Sequence, residues 1–161
     1  RPVTLVGFSF GARVIYSCLR ELAHQQDIWE QTRFRNADDN NEGRKSKTFG
    51  KKKASISFEY DREPASLIAD VIFIGLPRVI DKKVLTSCRR VTGGRLVNCY
   101  TKNDWLLSLM FMARAGIPAG VREVRDVPGV ENFDVTLFVE SHTRYADAIP
   151  SILQHVRFSE P

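Results

Sequence analysis

The stretch Val3-Thr4-Leu5-Val6-Gly7-Phe8-Ser9-Phe10-Gly11 constrains this chain more than any other. Val3 to Val6 are β-branched or aliphatic, which reads as a short strand covered on both faces. The next five residues spell Gly-x-Ser-x-Gly. From Ala12 the pattern turns helical, with Val14, Ile15, Cys18, Leu19, Leu22 and Ala23 expected on one buried face. A bare Gly-x-Ser-x-Gly arises by chance in roughly one chain of this length in twenty, so the context has to carry the reading. A buried strand that turns abruptly into an amphipathic helix through this motif is a nucleophile elbow. Ser9 then takes a strained conformation at the tip of the turn, and its hydroxyl projects clear of the sheet. Gly7 and Gly11 are expected where strand and helix backbones approach closely. The N–H of Phe10, at the helix N-terminus, is the expected donor to a developing oxyanion. The plainer alternative is a strand-helix turn whose serine only caps the helix.

Beyond this elbow the chain alternates. A helix is expected from about Gly11 to His24 or a little beyond, and a second buried strand runs from Ala69 to Pro77. Lys82 to Val91 reads as a short helix stopped by Gly93-Gly94, and Arg95 to Tyr100 as a third strand. Trp105 to Ala113 reads as an apolar helix, and its stretch Trp105 to Met112 as core more than as a lipid-binding surface. Val121 to Val127 read as an irregular or short extended piece, Val135 to Val139 as the fourth strand or a strand-like segment, and Tyr145 to Val156 as a closing amphipathic helix. Strands alternating with crossover helices imply an α/β fold, a mostly parallel sheet with right-handed connections. Chemistry in such a sheet gathers at the carboxyl ends of its strands. Ser9 follows the first strand, Asp104 the third and His142 the fourth, and the order Ser, Asp, His is the one α/β-hydrolases use. His142 is the candidate base toward Ser9, and Asp104 the candidate acid that orients the imidazole. Asp126 and Asp134 compete for the acid's place, and the plainer role for Asp104 is to cap the helix that begins at Trp105. His24 and His155 lie within or at the end of helices and read as surface residues.

Length bounds the remainder: 161 residues make one domain with room for a real core, and 43% hydrophobic residues exclude a disordered chain. The formal charge of +5 is not spread over a face. It collects in Arg44, Lys45, Lys47, Lys51, Lys52 and Lys53, inside a polar stretch from about 25 to 64 that reads as a solvated, disordered insertion. Within it, Ser55 to Tyr60 alternates and could add a short edge strand. The basic tract reads as a solvated loop in preference to a contact surface for anionic lipid or nucleic acid, and no nucleic acid is expected as a partner. No run is long enough for a transmembrane helix, and no signal peptide is expected. Cys18, Cys88 and Cys99 are widely spaced in apolar surroundings, which fits buried thiols in a reducing compartment and offers neither a disulfide nor a metal pattern. No cofactor is expected. The chain opens at Arg1-Pro2 and enters a buried-type strand at once, so it is expected to be the C-terminal part of a larger protein, or of a hydrolase domain whose first half lies upstream.

The segment Arg1 to Tyr16, with Gly94 to Tyr100, Asn103 to Ser108 and Val130 to Thr136 followed by His142, resembles the transmembrane and coiled-coil domain-containing protein 4 family. The resemblance covers most of the chain outside about Gln25 to Ala65. It implies a partial α/β-hydrolase fold, the C-terminal half of the sheet, following membrane-spanning segments that this chain does not contain. It also implies triad-like positions for Ser9, Asp104 and His142. The expected function is that of a serine hydrolase acting on carboxylic, including lipid, esters. The domain is expected on the cytoplasmic side of a membrane protein. The competing expectation is an inactive hydrolase scaffold that serves membrane traffic as an interaction module. The charged insertion is a departure from the family pattern.

Overall fold

Four short runs of β-branched and aliphatic residues pair side by side in the computed structural model, which describes residues 1–41, 62–111 and 116–157. They are β1 (Val3–Phe8), β2 (Ile68–Ile74), β3 (Leu96–Tyr100) and β4 (Val130–Asp134). The sheet order is β1-β2-β3-β4 and every pairing is parallel. Three helices make the crossovers that parallel neighbours require: α1 (Phe10–Asn41), α2 (Lys82–Arg90) and α3 (Trp105–Phe111). A fourth, α4 (Tyr145–His155), follows β4. This is the expected partial α/β fold, with β1 at one edge.

The alternation of side chains along β2 and β3 explains why both faces of the sheet carry helices. Val71, Phe73 and Leu96 pack with Tyr16, Leu19, Leu85 and Cys88 of α1 and α2. Ile72, Ile74, Val97 and Cys99 pack with Tyr145, Ala148, Ile152 and Val156 of the α4 layer. Each fully buried aliphatic side chain here contributes about 1.5–3 kcal/mol relative to leaving it in water. Cys88 and Cys99 belong to this core, and burial pushes their thiols up to about 11 and about 12 respectively. Cys18 departs from the expectation of three buried thiols; it is exposed on α1.

Several expected boundaries move, each for a physical reason. The first helix continues well past His24, to Asn41. Its continuation is held by polar contacts with distant segments, which no apolar period announces. Buried Gln26 donates to Glu30 and Glu63 and accepts from the N–H of Ala65, while Arg90 pairs with Asp27 and Glu30. The start of the expected insertion is therefore helical. The basic tract and the alternating Ser55 to Tyr60 lie outside the described residues. The fourth strand sits five residues upstream of the expected Val135 to Val139. Glu131 pairs with Arg95, and Asn132 with Asn98 and the backbone of Val124, so polar partners select this register. Val135 and Val139 are buried in the turn after the strand, facing the α4 layer.

Two faces are more open than the sequence implies. Val3 is 51% and Val6 41% exposed, so β1 is not covered on both faces. On α1 the buried hydrophobic residues are Ala12, Tyr16, Leu19 and Ala23, while Val14 and Cys18 face outward. In α3 only Leu107 is buried; Trp105, Leu109 and Met110 are exposed, which overturns the reading of that segment as core. Two turns of helix at the rim of a sheet have too narrow an inner face to hide all of these side chains. No described helix is long and apolar enough to cross a membrane.

Candidate active site

Ser9 stands where β1 becomes α1, and the local geometry shows why the motif has this form. Its φ is 48°, in the left-handed region that ordinary residues rarely adopt. Its N–H bonds the carbonyl of Ile74 at 2.9 Å, extending the β1–β2 ladder by one residue, and its carbonyl accepts from Arg13 at 3.1 Å, opening the helix. The reversal takes place within one residue. Gly7 is what permits it: a Cβ there would lie 2.6 Å from Ile15 Cδ1 and 2.7 Å from the backbone nitrogen of Ala12. Gly11 differs from the expectation. A Cβ on it would meet no described atom within 4 Å, because it points into open space and not between strand and helix. Phe10 is the first residue of α1, so its N–H has no acceptor within the helix.

Asp104 follows β3 and is fully buried. Its two carboxylate oxygens are divided between two tasks. Oδ1 accepts the N–H of Leu107 at 2.8 Å, capping α3, and Oδ2 lies 2.6 Å from His142 Nδ1. Capping the helix and orienting the histidine are thus compatible, although they look like rivals in the sequence. His142 opens a 3-10 turn (His142–Arg144) ahead of α4. Its Nε2 lies 3.3 Å from Ser9 Oγ, and its side chain keeps 20% exposure. Ser9, His142 and Asp104 therefore form one hydrogen-bonded chain across the carboxyl ends of β1, β3 and β4. In that arrangement an imidazole fixed through Nδ1 presents Nε2 to a hydroxyl and can accept its proton.

The other titratable candidates are occupied elsewhere. Asp126 pairs with Lys82, whose hydrogen bond holds its carboxyl below the usual carboxylate range. Asp134 pairs with Lys102 at 2.7 Å and accepts the N–H of Thr136. Burial alone would raise its carboxyl, but the bonds from Lys102 and Thr136 outweigh that and lower it. His24 is exposed on α1, and His155 is exposed and packs edge-on against Phe133 and at a tilt against Phe138.

Two aromatic residues at the site carry no motif signal. Phe8 occupies a variable position of Gly-x-Ser-x-Gly, and Tyr145 reads as an ordinary first residue of a helix. Both rings lie against His142. The spacing of three from His142 to Tyr145 is the one sequence cue that could have placed the tyrosine near the imidazole.

The sequence matches known proteins over most of its length. The model of a family described as "Protein of unknown function (DUF726)" matches residues 1–30 and 56–159. "Uncharacterized membrane protein C6F6.13c" of Schizosaccharomyces pombe is 36% identical over 98% of this chain and 16% of its own length. "Probable lipase MIL1" of Saccharomyces cerevisiae is 35% identical over 97% of this chain and 11% of its own. "Transmembrane and coiled-coil domain-containing protein STS1" of Oryza sativa subsp. japonica is 35% identical over 99% of this chain and 19% of its own. The chain thus spans less than a fifth of the length of each of these relatives. No solved structure matches.

Proposed function

The chain belongs to the DUF726 family of proteins of unknown function, and from that starting point we propose that it carries the nucleophile, base and acid of a serine hydrolase acting on carboxylic esters. The observation that carries the proposal is the hydrogen-bonded chain from Ser9 through His142 to buried Asp104. In the proposed reaction His142 Nε2 takes the proton of Ser9 Oγ as the oxygen attacks the ester carbonyl. The resulting oxyanion is received by the N–H of Phe10. His142 then returns the proton to the leaving alcohol, and water repeats the sequence on the acyl-enzyme. Asp104 holds the imidazole tautomer and offsets its transient positive charge.

Lipid esters are the substrate class this reading favours. Phe10 follows Ser9 and is 64% exposed, Trp105 follows Asp104 and is 64% exposed, and Leu137 in the turn before His142 is 96% exposed. Each lies on a segment leaving the carboxyl end of a strand, which gives the serine end of the sheet an apolar rim. A relative bearing the name probable lipase and two named as membrane or transmembrane proteins point the same way. We place the domain beside a membrane, on its cytoplasmic side, within a longer membrane protein. Turnover of short and long acyl esters by the full-length protein tests the proposal, with Ser9→Ala as control. Ser9-dependent hydrolysis that favours long chains is the expected result. A folded protein with no Ser9-dependent turnover on any of them would instead favour an inactive scaffold that acts as an interaction module.

A further inference from the structure

His142 stands on a three-residue 3-10 turn whose neighbours Thr143 and Arg144 are exposed. Such a turn does little by itself to hold a ring plane. Two aromatic rings supply the constraint. Phe8, the last residue of β1, lies 5.5 Å from the imidazole centroid at a tilt of 38°. Tyr145, the first residue of α4, lies 5.8 Å from it, edge to face at 76°. The two rings also pack on each other at 4.8 Å. The imidazole is thus held by contacts from both the strand that delivers Ser9 and the helix that follows His142.

Tyr145 has a second peculiarity. It is fully buried, and its hydroxyl has no hydrogen-bond partner among the described residues. A buried hydroxyl without a partner is unfavourable, and phenylalanine would fill the same core without that penalty. The hydroxyl end abuts Gly75, the φ +60° residue that turns the chain after β2. A Cβ at Gly75 would come within 3.1 Å of both Cζ and the hydroxyl oxygen. The phenol therefore spans from the turn after β2 to the imidazole. Burial, then the nearby Asp104 carboxylate, push this hydroxyl above the ordinary phenol range, so it stays neutral against His142.

We propose that Phe8 and Tyr145 are positioning residues, an aromatic cradle that fixes the ring plane of His142 so that Nδ1 stays on Asp104 while Nε2 stays on Ser9. The proposal rests on the serine-hydrolase reading for its catalytic consequence but not for its geometry. Without the cradle the imidazole swings about its side-chain bonds and the 3.3 Å approach to Ser9 is lost for much of the time. A misplacement of that order at a reacting group lowers turnover about a hundredfold.

The test uses two readouts on the full-length protein and on this chain where it is soluble. The first is the low-field proton NMR resonance of the His142 Nδ1–H held by Asp104. The second is the split of ester turnover into kcat and KM. Tyr145→Leu and Phe8→Leu should broaden or abolish the resonance and lower kcat about 10- to 100-fold with KM within about twofold. Tyr145→Phe, which keeps the ring, should retain the resonance and most of kcat. A sharp resonance and unchanged kcat in a folded Phe8→Leu protein would overturn the cradle, as would a wild-type protein with no such resonance. Should Tyr145→Leu fail to fold, Phe8→Leu decides alone, because Phe8 is only partly buried. In a protein without esterase activity the resonance alone still tests the cradle, which separates its failure from failure of the hydrolase reading.

Discussion

At the scale of single residues, the elbow shows how one motif can hold positions of unequal necessity. Gly7 and Gly11 look equivalent in Gly-x-Ser-x-Gly, yet only Gly7 lies against the backbone of α1. A methyl at Gly7 collides with backbone atoms of Ala12, which cannot move without shifting the helix. Gly7→Ala should therefore cost about 2–3 kcal/mol or more. A methyl at Gly11 meets no described atom, and glycine in a helix carries an entropic penalty, so Gly11→Ala should be neutral or stabilising by up to about 1 kcal/mol. Urea unfolding of the two variants beside wild type checks both; equal losses would contradict the asymmetry. Ser9 and Asp104 are legible in the sequence because each follows an apolar run that forms a strand, and His142 because it follows the apolar run Val135 to Val139, which is the turn after β4 and not the strand expected there. Phe8 and Tyr145 are not, because an aromatic ring that packs on an imidazole looks in sequence like any other core ring.

At the scale of elements, strands with two buried faces announce themselves and elements held by polar partners do not. Ile68–Ile74 and Leu96–Tyr100 are nearly continuous apolar runs and lie where the sequence puts them. The fourth strand escapes a reading by apolar pattern because Val130-Glu131-Asn132-Phe133-Asp134 owes its register to Arg95 and Asn98, far away in the chain. The second half of α1 escapes it for a similar reason, since Gln26, Asp27 and Glu30 find their partners near residues 63–65 and at Arg90. The Arg95–Glu131 pair makes a pH-dependent prediction. Hydrogen bonding from Arg95 holds the Glu131 carboxyl below the usual glutamate range, so its contribution is complete above that range and is lost as pH falls through the lowered value. Glu131 remains 42% exposed, so solvent screening limits the contribution to about 1 kcal/mol or less. Glu131→Gln should lose that amount near neutrality and match wild type once the pH has fallen below the lowered value. Unfolding measurements from neutral to acid pH check this; a deficit that persists in acid would show that shape, not charge, explains the pair.

At the scale of the molecule, the notable feature is the open edge at β1 beside the serine. An oxyanion hole in this class of fold takes one donor from the residue after the nucleophile and another from a loop that follows an earlier strand. We propose that a further strand of a longer protein pairs with β1, covers Val3 and Val6, and brings that second donor. One missing donor costs about 3 kcal/mol of transition-state stabilisation, a hundredfold or more in rate. This chain alone should thus hydrolyse esters at least about a hundredfold more slowly than a form extended through the proposed strand. Equal, Ser9-dependent rates in both would show that the hole is complete within these residues. The central claim, that Ser9 is a nucleophile activated by His142, is tested most directly by fluorophosphonate labelling of the full-length protein followed by peptide mapping. A single adduct on Ser9 is expected in the wild type and none in Ser9→Ala. His142→Ala should slow labelling at least about a hundredfold, since removing a triad member costs about 10⁴ or more in rate. A wild-type protein that is folded yet unlabelled at Ser9, or one whose labelling is indifferent to His142, would contradict the claim.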